Sequence, residues 1–356
     1  MGARPQFIKA SVISRAVNTM FSDQLEETLL HTGQHFDPEM SAIFFDSLKI
    51  NAPKYHLEAG QTTDRRAALT GQIAEILKTE LPDAVLVYGD TDSTRIGATA
   101  AAVCGLPVVH VEAGLRSGNW AMPEEENRVV TDHLADLLFC PTKSAMAQLA
   151  REGIGNQEKV VYSGDVMLDS AMLFARNQSI SQLQKQQGIV GPYALLTLHR
   201  GANVDDPKML TDILTTIDTW AQSESLRVVW PLHPRTRNTL ARINTDWKSI
   251  DVISPVGYEE MLCLEQNSQV VLTDSGGVQK EAYFFGRPCY ILRNETEWTE
   301  LVTHGGHVLC GNTPASIKSA LERGHMDKGT VQTNLFGNGK AGELICKEII
   351  KRYGPC

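Results

Sequence analysis

Short, continuous apolar runs alternate with helical patterns along almost the whole chain, and this feature constrains the fold most. The runs do not alternate apolar with polar residues, which is typical of strands buried on both faces of a parallel sheet. Strand–helix alternation of this kind predicts an α/β fold with right-handed crossovers. Two series of strands are predicted, at Leu29–Thr32, Ala84–Tyr88, Val108–Val111, Leu137–Cys140 and Val160–Ser163, and at Tyr193–Leu198, Arg227–Leu232, Asp251–Ile253, Val270–Thr273 and Cys289–Leu292.

The two series predict two Rossmann-like domains, which also fits a length of 356 residues. The polar stretch Asp169–Gly191 interrupts the pattern, so we place the boundary there, giving domains 1–168 and 169–340. A last helix within 341–356 could pack on either domain from its pattern alone. The sequence begins at Met1-Gly2, already in what resembles the loop after a first strand, so we expect that strand to be missing.

Composition excludes several classes of protein. The chain has 33 Lys and Arg against 42 Asp and Glu, a net charge of −9, which disfavours binding of nucleic acid or of an anionic membrane surface. It has no apolar run of 18 residues and no apolar segment near the N-terminus, so we expect neither a membrane span nor a secretory signal. Its seven cysteines are odd in number and form no CxxC pair, which favours reduced thiols in a cytoplasmic protein.

In the first half of the chain, carboxylates follow the predicted strands. Asp90 comes after Ala84–Tyr88, where it could handle protons or simply cap the next helix. Glu112 comes after Val108–Val111, where it could be a half-buried acid or base, or the partner of Arg116. Glu124 lies among three carboxylates in a helical first turn, which the helix dipole alone would favour.

Basic and glycine-rich segments suggest sites for anions. Near the N-terminus, Arg4 and Lys9 flank a helix start that Pro5 can open. In the second half, His199-Arg200 and His233 follow two strands and suggest a polyanionic ligand. Ser275-Gly276-Gly277 opens a helix after another strand, as a phosphate cradle would. The sequence has neither a Walker motif nor the usual dinucleotide fingerprint, and no cluster with metal-ligand spacing.

These segments together resemble the non-hydrolysing UDP-N-acetylglucosamine 2-epimerases. The resemblance runs in order through nearly the whole chain. It is carried by GARPQFIK (2–9), TGQH (32–35), VYGDT (87–91), HVEAGLRS (110–117), PEEENR (123–128), TLHR (197–200), TDSGGVQKE (273–281) and ETEW (295–298).

The resemblance implies a GT-B-like pair of Rossmann domains with the active site in the cleft between them. The helix 341–356 would join the N-terminal domain, and 169–340 would bind UDP. The implied reaction inverts C2 of a UDP-2-acetamido sugar by anti-elimination and re-addition of UDP, without NAD or metal, for cell-surface polysaccharide precursors. Family members are usually homodimers.

The resemblance also implies roles for individual residues. Asp90, Glu112 and Glu124 become the acid–base candidates, because inversion needs one proton-handling group on each face of C2. His199 would lie beside the departing phosphate. The implied substrate-binding residues are Arg4, Lys9, Arg116, Arg200, His233, Ser275, Gly276, Gly277 and Glu281.

Other functions stay open at this point. The GARPQFIK and ETEW forms also resemble the branch that acts on UDP-2,3-diacetamido-2,3-dideoxyglucuronic acid. A GT-B glycosyltransferase would share the two domains and the diphosphate site, but it does not need three carboxylates. A hydrolysing epimerase or a non-catalytic sugar-nucleotide sensor would also fit the architecture.

Overall fold

The computed structural model describes residues 1–2, 4–33, 48, 50–58, 64–155, 159–175, 178–324 and 334–354, without the side chains of Arg4, Pro234 and Arg235. The chain divides into two compact units. The first comprises Met1–Ser170 and Asn334–Cys356, and the second comprises Ala171–Thr333. The QH part of the TGQH motif lies outside the described residues.

The first unit alternates strands and helices. Its elements are α1 (Arg4–Met20), β1 (Leu30–His31), β2 (Tyr55–His56), α2 (Arg65–Glu80), β3 (Val85–Tyr88), α3 (Asp92–Val103), β4 (Val108–Val111), α4 (Pro123–Leu134), β5 (Leu137–Cys140), α5 (Lys143–Arg151), β6 (Val160–Tyr162) and α6 (Val166–Phe174), the last of which runs into the second unit. The chain returns to the first unit in its final helix, Ala341–Tyr353.

The second unit has the same alternation. Its elements are α7 (Ile180–Gln187), β7 (Tyr193–Thr197), α8 (Gly201–Val204), α9 (Pro207–Ser223), β8 (Arg227–Pro231), α10 (Pro234–Leu240), β9 (Ile250–Ile253), α11 (Tyr258–Asn267), β10 (Val270–Thr273), α12 (Gly276–Phe284), β11 (Cys289–Ile291), α13 (Thr299–Thr303), β12 (Val308–Leu309) and α14 (Pro314–Arg323). We call the final helix Ala341–Tyr353 α15.

Every strand pair in the described chain is parallel, which confirms the predicted α/β class. The second unit has one six-stranded sheet in the order β12-β11-β10-β7-β8-β9. Its strand order reverses between β7 and β10, which is the topological switch point where ligands of such sheets bind.

The first unit has two separate sheets, β1-β2 and β3-β4-β5-β6. A cavity of about 550 Å³ lies between them, lined by residues of β1, α2, β3 and α15. At its edge Met1 makes two strand-type hydrogen bonds with β1. Its amine donates to the Leu30 carbonyl (2.9 Å), and the Thr32 N–H donates to the Met1 carbonyl (2.9 Å).

Local sequence explains where several helices begin. Pro5 lies in the first turn of α1, and the apolar side chains from Phe7 to Val17 form a buried stripe along that helix, whereas Met20 is exposed. Thr142 caps α5 by accepting from the Ala145 N–H at 3.1 Å. Thr313 caps α14 in the same way, with Pro314 as its first residue.

The final helix α15 packs on α1 in the first unit. Ala341, Ile345 and Cys346 belong to the same apolar core as the stripe of α1. The Gly342 N–H also donates to Asp169 Oδ2 at 2.9 Å, which ties the start of α15 to α6. Among the described helices, none combines the length and the apolarity that crossing a bilayer requires.

Candidate functional site

The loop after β3 carries Asp90. Thr91, and not Asp90, is the N-cap of α3, so the capping interpretation of Asp90 is wrong. The Asp90 carboxylate instead forms an ion pair with Arg128 of α4, which also contacts Glu125 Oε2 at 3.0 Å. The Arg128 side chain is only 4% exposed, while that of Asp90 is 27% exposed. Arg128 therefore fixes a carboxylate that still reaches the surface at the strand end.

Glu112 directly follows β4, the neighbour of β3. Its φ is 75°, a left-handed conformation that a residue with a side chain rarely adopts. Its Oε1 lies 2.5 Å from Lys9 Nζ, and both side chains are buried. A Cβ added to Gly89 would lie 2.8 Å from Lys9 Nζ and 3.3 Å from Glu112 Oε1. The glycine thus allows the end of β3 to approach this ion pair closely.

Arg116 does not pair with Glu112, so that alternative is wrong. Its guanidinium contacts Asp132 Oδ2 and Glu152 Oε2, each at 2.7 Å, and its side chain is largely buried. This geometry gives Arg116 a structural role, because it fixes the loop after β4 against α4 and α5. Its predicted contact with substrate stays a prediction.

Asp132 lies beneath the strand ends and is fully buried. It accepts from the Gly114 N–H at 3.2 Å and contacts His110 Nδ1 at 2.7 Å, while His110 Nε2 contacts the Gly89 carbonyl at 2.8 Å. Burial acts to raise the pKa of Asp132, but the hydrogen bond and charge of His110, together with Arg116, bring it below its usual value. This network holds the loops after β3 and β4 in one arrangement.

Of the carboxylates in the first turn of α4, Glu124 is partly buried and Glu125 is fully buried. Glu125 accepts from the N–H groups of Ser117 and Gly118, at 2.8 and 2.9 Å. Burial acts to raise the pKa of Glu125, but these hydrogen bonds and Arg128 together lower it. Glu125 therefore stabilises the loop after β4. Glu126 forms an ion pair with Arg95 at 2.9 Å, so Glu124 is the carboxylate of this turn that we keep as a candidate for contact with a ligand.

In the second unit, the predicted residues gather at the switch point. His199 and Arg200 follow β7, and Asp274 follows the adjacent β10. Asp274 is fully buried and accepts from the backbone N–H groups of His199 and Arg200, while its Oδ1 lies 2.9 Å from His199 Nδ1. Because a carboxylate can only accept, Nδ1 carries the proton, and Nε2 becomes the ring nitrogen that can face a ligand.

The charge of Asp274 is maintained by its partners. Burial acts to raise the pKa of Asp274, but His199, the Arg200 N–H and the amide of Asn203 lower it. The Arg200 side chain turns back to donate from Nε to the Asp274 carbonyl at 3.0 Å. His233 is exposed, and its ring centroid lies 5.7 Å from that of His199. Two imidazoles and a guanidinium therefore lie at the ends of β7 and β8.

Ser275 is the N-cap of α12, and Gly276 and Gly277 form the start of its first turn. The first N–H groups of a helix have no partner within the helix, so this start can bind an anion. Farther along α12, Glu281 is 4% exposed. A Cβ added to Gly277 would lie 3.9 Å from Glu281 Oε2, which places this carboxylate next to the helix start.

The structure thus groups most predicted residues into two clusters at the carboxyl ends of parallel strands. Arg4 begins α1, but its side chain is outside the described part of the molecule. Within the described residues, no group of three or more His, Cys, Asp or Glu side chains is arranged to hold a metal ion. Three residues that orient the clusters were not predicted, namely Arg128, Asp132 and Asp274. Of these, Arg128 and Asp274 lie in the PEEENR and TDSGGVQKE motifs, whereas Asp132 gave no signal.

Two α/β units with parallel sheets and polar residues at the strand ends are typical of the GT-B-like class of fold. The family model for UDP-N-acetylglucosamine 2-epimerase matches residues 19–350. The chain belongs to this family, which confirms the predicted isomerase class.

Individual relatives support the assignment. The chain is 46% identical to the UDP-2,3-diacetamido-2,3-dideoxy-D-glucuronate 2-epimerase of Pseudomonas aeruginosa, covering 99% of this chain and 98% of the relative. A crystal structure of the Methanocaldococcus jannaschii UDP-GlcNAc 2-epimerase, in complex with UDP-GlcNAc and UDP, has a TM-score of 0.84 at 37% identity over 98% of both chains. The UDP-GlcNAc 2-epimerase of Neisseria meningitidis, bound to UDP-GlcNAc, has a TM-score of 0.85 at 27% identity over 98% of both chains.

Proposed function

We propose that the chain converts UDP-N-acetylglucosamine to UDP-N-acetylmannosamine, by elimination and re-addition of UDP. The observation that carries this proposal is the pair of fixed carboxylates at neighbouring strand ends, Asp90 held by Arg128 and Glu112 held by Lys9. Inversion at C2 requires proton transfer on both faces of the sugar, and one carboxylate cannot reach both.

The reaction proceeds in two halves. In the first, a carboxylate takes the C2 proton, a double bond forms between C1 and C2, and the C1–O bond breaks, so that UDP leaves with the bonding electrons. In the second, a UDP oxygen adds back to C1 while another acid protonates C2 from the opposite face. Asp90, Glu112 and Glu124 are the candidates for these roles, and each proton removed is balanced by one delivered.

The second unit would hold UDP. Ser275, Gly276 and Gly277 would bind phosphate oxygens at the start of α12, and Glu281 would accept from the ribose hydroxyls. His199 would stabilise the charge that develops on the leaving diphosphate, because Asp274 fixes its tautomer and orientation. Arg4, Lys9, Arg116, Arg200 and His233 are the remaining candidates for substrate contacts.

The deciding experiment is NMR of the purified protein with UDP-N-acetylglucosamine in D₂O, without added NAD or metal. We expect deuterium at C2 and a new UDP-N-acetylmannosamine signal. Asp90→Asn, which keeps the size of the side chain, should retain the fold and lose both signals. Accumulation of UDP with free N-acetylmannosamine would indicate hydrolysis instead, and full activity of Asp90→Asn would contradict the assigned role.

A second candidate substrate is UDP-2,3-diacetamido-2,3-dideoxyglucuronate, which the 46% identity to the Pseudomonas aeruginosa epimerase favours. The same NMR experiment with this uronate separates the two substrates, because the better one gives the faster C2 exchange at equal concentration. We also propose that the enzyme is a cytoplasmic homodimer that supplies polysaccharide precursors. Light scattering on the purified protein tests the dimer.

A further inference from the structure

Beneath the proposed nucleotide site, α11 carries a carboxyl group in an unusual place. Glu265 is fully buried, and neither of its carboxyl oxygens has an N–H or O–H donor among the described residues. The Glu265 carboxyl group instead contacts a second carboxyl group, that of Glu281 on α12. An acceptor-only pair of this kind is not stable unless one member carries a proton.

The surroundings indicate which member is protonated. Burial, and then the charge of Glu281 and the contact with it, raise the pKa of Glu265 well above its usual value. Among the described residues, the Cys289 thiol and the Tyr193 hydroxyl also interact with Glu265. Burial raises the pKa of both groups, so both are neutral at pH 7. Arg287 is the cation near Tyr193. Full burial without an N–H or O–H donor among the described residues therefore favours Glu265 as the member of the pair that carries the proton.

Glu281 connects this buried acid to the helix start. Its Oε2 lies 3.9 Å from the position that a Cβ on Gly277 would take, whereas its Oε1 is buried. The side chain thus has one oxygen in the interior and one beside the anion cradle. An ionised carboxylate can accept from several donors at once, which suits recognition of a ribose diol.

We propose that Glu265 is a positioning residue that donates its O–H to Glu281 and so holds Glu281 ionised, with its outer oxygen presented to the ribose of UDP. This inference rests on the proposed function, because it deepens the role of Glu281 in binding nucleotide. Glu265 itself does not touch the substrate. Its removal should raise KM and leave kcat nearly unchanged, since the ribose is remote from C2.

The test compares two substitutions with two nucleotides, UDP and 2′,3′-dideoxy-UDP, by isothermal titration calorimetry at pH 7. The wild-type chain should prefer UDP. Glu265→Gln retains an N–H donor and should keep the UDP affinity within about 2-fold, whereas Glu265→Leu has no donor and should lose about 10-fold or more. Neither substitution should change the affinity for dideoxy-UDP, which a merely structural defect would also weaken.

Two outcomes overturn the inference. The first is a Glu265→Leu protein with the wild-type ratio of UDP to dideoxy-UDP affinity. The second is a wild-type protein that binds both nucleotides equally, because Glu281 would then not recognise the ribose. A wild-type protein that binds neither nucleotide would overturn the proposed function as well, which keeps the two failures distinguishable.

A pH profile provides a readout if Glu265→Leu does not fold. The preference of the wild-type chain for UDP over dideoxy-UDP should decline at alkaline pH, as Glu265 loses its proton and repels Glu281. Glu265→Gln cannot lose a proton there and should show a flat ratio. Because the measure is the ratio of the two nucleotide affinities, ionisation of the uracil, Tyr193 or Cys289 affects both affinities alike and leaves the ratio unchanged. A decline of the same size in Glu265→Gln would refute the proposal.

Discussion

Replacing Gly277 by alanine should separate folding from nucleotide binding in the second unit. The new methyl group has room, because its nearest heavy atoms would be Glu281 Oε2 and Ser275 Oγ, both at 3.9 Å. Gly277 has no left-handed φ, so alanine fits the backbone as well. In an α-helix the Cα–Cβ bond tilts toward the N-terminus, so the methyl group would lie over the helix start where we place a phosphate.

The magnitudes follow from this geometry. Exchanging glycine for alanine at a compatible helical position stabilises the folded state by about 0.4–1 kcal/mol. For a unit of this size, Tm should therefore rise by about 1–4 °C. The methyl group would meanwhile hold a phosphate away from the first N–H groups of α12, and we expect UDP to bind at least 10-fold more weakly, about 1.4 kcal/mol.

The assay is thermal unfolding with and without UDP, combined with calorimetric titration of UDP. Gly71→Ala is a matched control, because Gly71 lies within α2 and a Cβ there would have no heavy atom within 4 Å. It should gain a similar amount of stability and leave UDP binding unchanged. Unchanged UDP affinity in Gly277→Ala would refute the phosphate position, and a lower Tm in that variant would refute the steric argument.

Two further predictions concern the first unit. Burial raises the pKa of Asp169 from 3.8 to about 6, so its charge destabilises the folded state above pH 6 and has no effect below pH 3.8. Asp169→Asn should therefore increase the free energy of unfolding by up to about 3 kcal/mol at pH 7 and should leave it unchanged near pH 3. Urea titration at the two pH values measures this difference. An equal gain in stability at pH 7 and pH 3 would contradict the burial of a charge as its cause. Arg128→Met should cost about 3–5 kcal/mol of stability and lower kcat at least about 100-fold, because Asp90 and Glu125 lose their shared cation. Urea unfolding measures the stability and NMR turnover assays measure kcat. A wild-type kcat would show that catalysis does not need Arg128 to hold Asp90.

The strands that the sequence predicts are those made of continuous apolar residues. Such runs bury both faces of a parallel sheet, and this requirement is local enough to read from the chain. Several strands end one residue before the apolar run does. Leu198, Leu232 and Leu292 are buried, but each follows the last residue of its strand and packs at the start of a loop.

The strands that the sequence misses are β2 and β12, each of two residues. Tyr55–His56 is partly exposed, and Val308–Leu309 is an edge strand next to β11. Runs this short carry no periodicity, and their pairing depends on a neighbour that the sequence does not identify. Their positions are therefore set by tertiary structure and not by local pattern.

The strand-end residues of the candidate site were predictable from the sequence, whereas their pairings and the residues that orient them were not. Strand ends indicated Asp90, Glu112 and His199, because parallel sheets bind ligands there. The pairing of Glu112 with Lys9 was not predictable, since Lys9 is 103 residues away and Arg116 is only four residues away. Sequence proximity favoured Arg116 as the cation, but in the structure Lys9 pairs with Glu112 and Arg116 pairs with Asp132.

The left-handed backbone of Glu112 affects which substitutions this position can accept. A left-handed residue that is not glycine costs about 1–3 kcal/mol, and at φ 75° the backbone alone would be most relaxed with glycine at this position. Replacing Glu112 by glycine would remove this backbone cost, but it would leave the buried Lys9 without its ion-pair partner, which costs about 3–5 kcal/mol. The strained residue is therefore also the more stable choice at this position. Engineering for higher thermal stability, by consensus design or by library selection, should therefore keep Glu112 and seek stabilising substitutions at other positions.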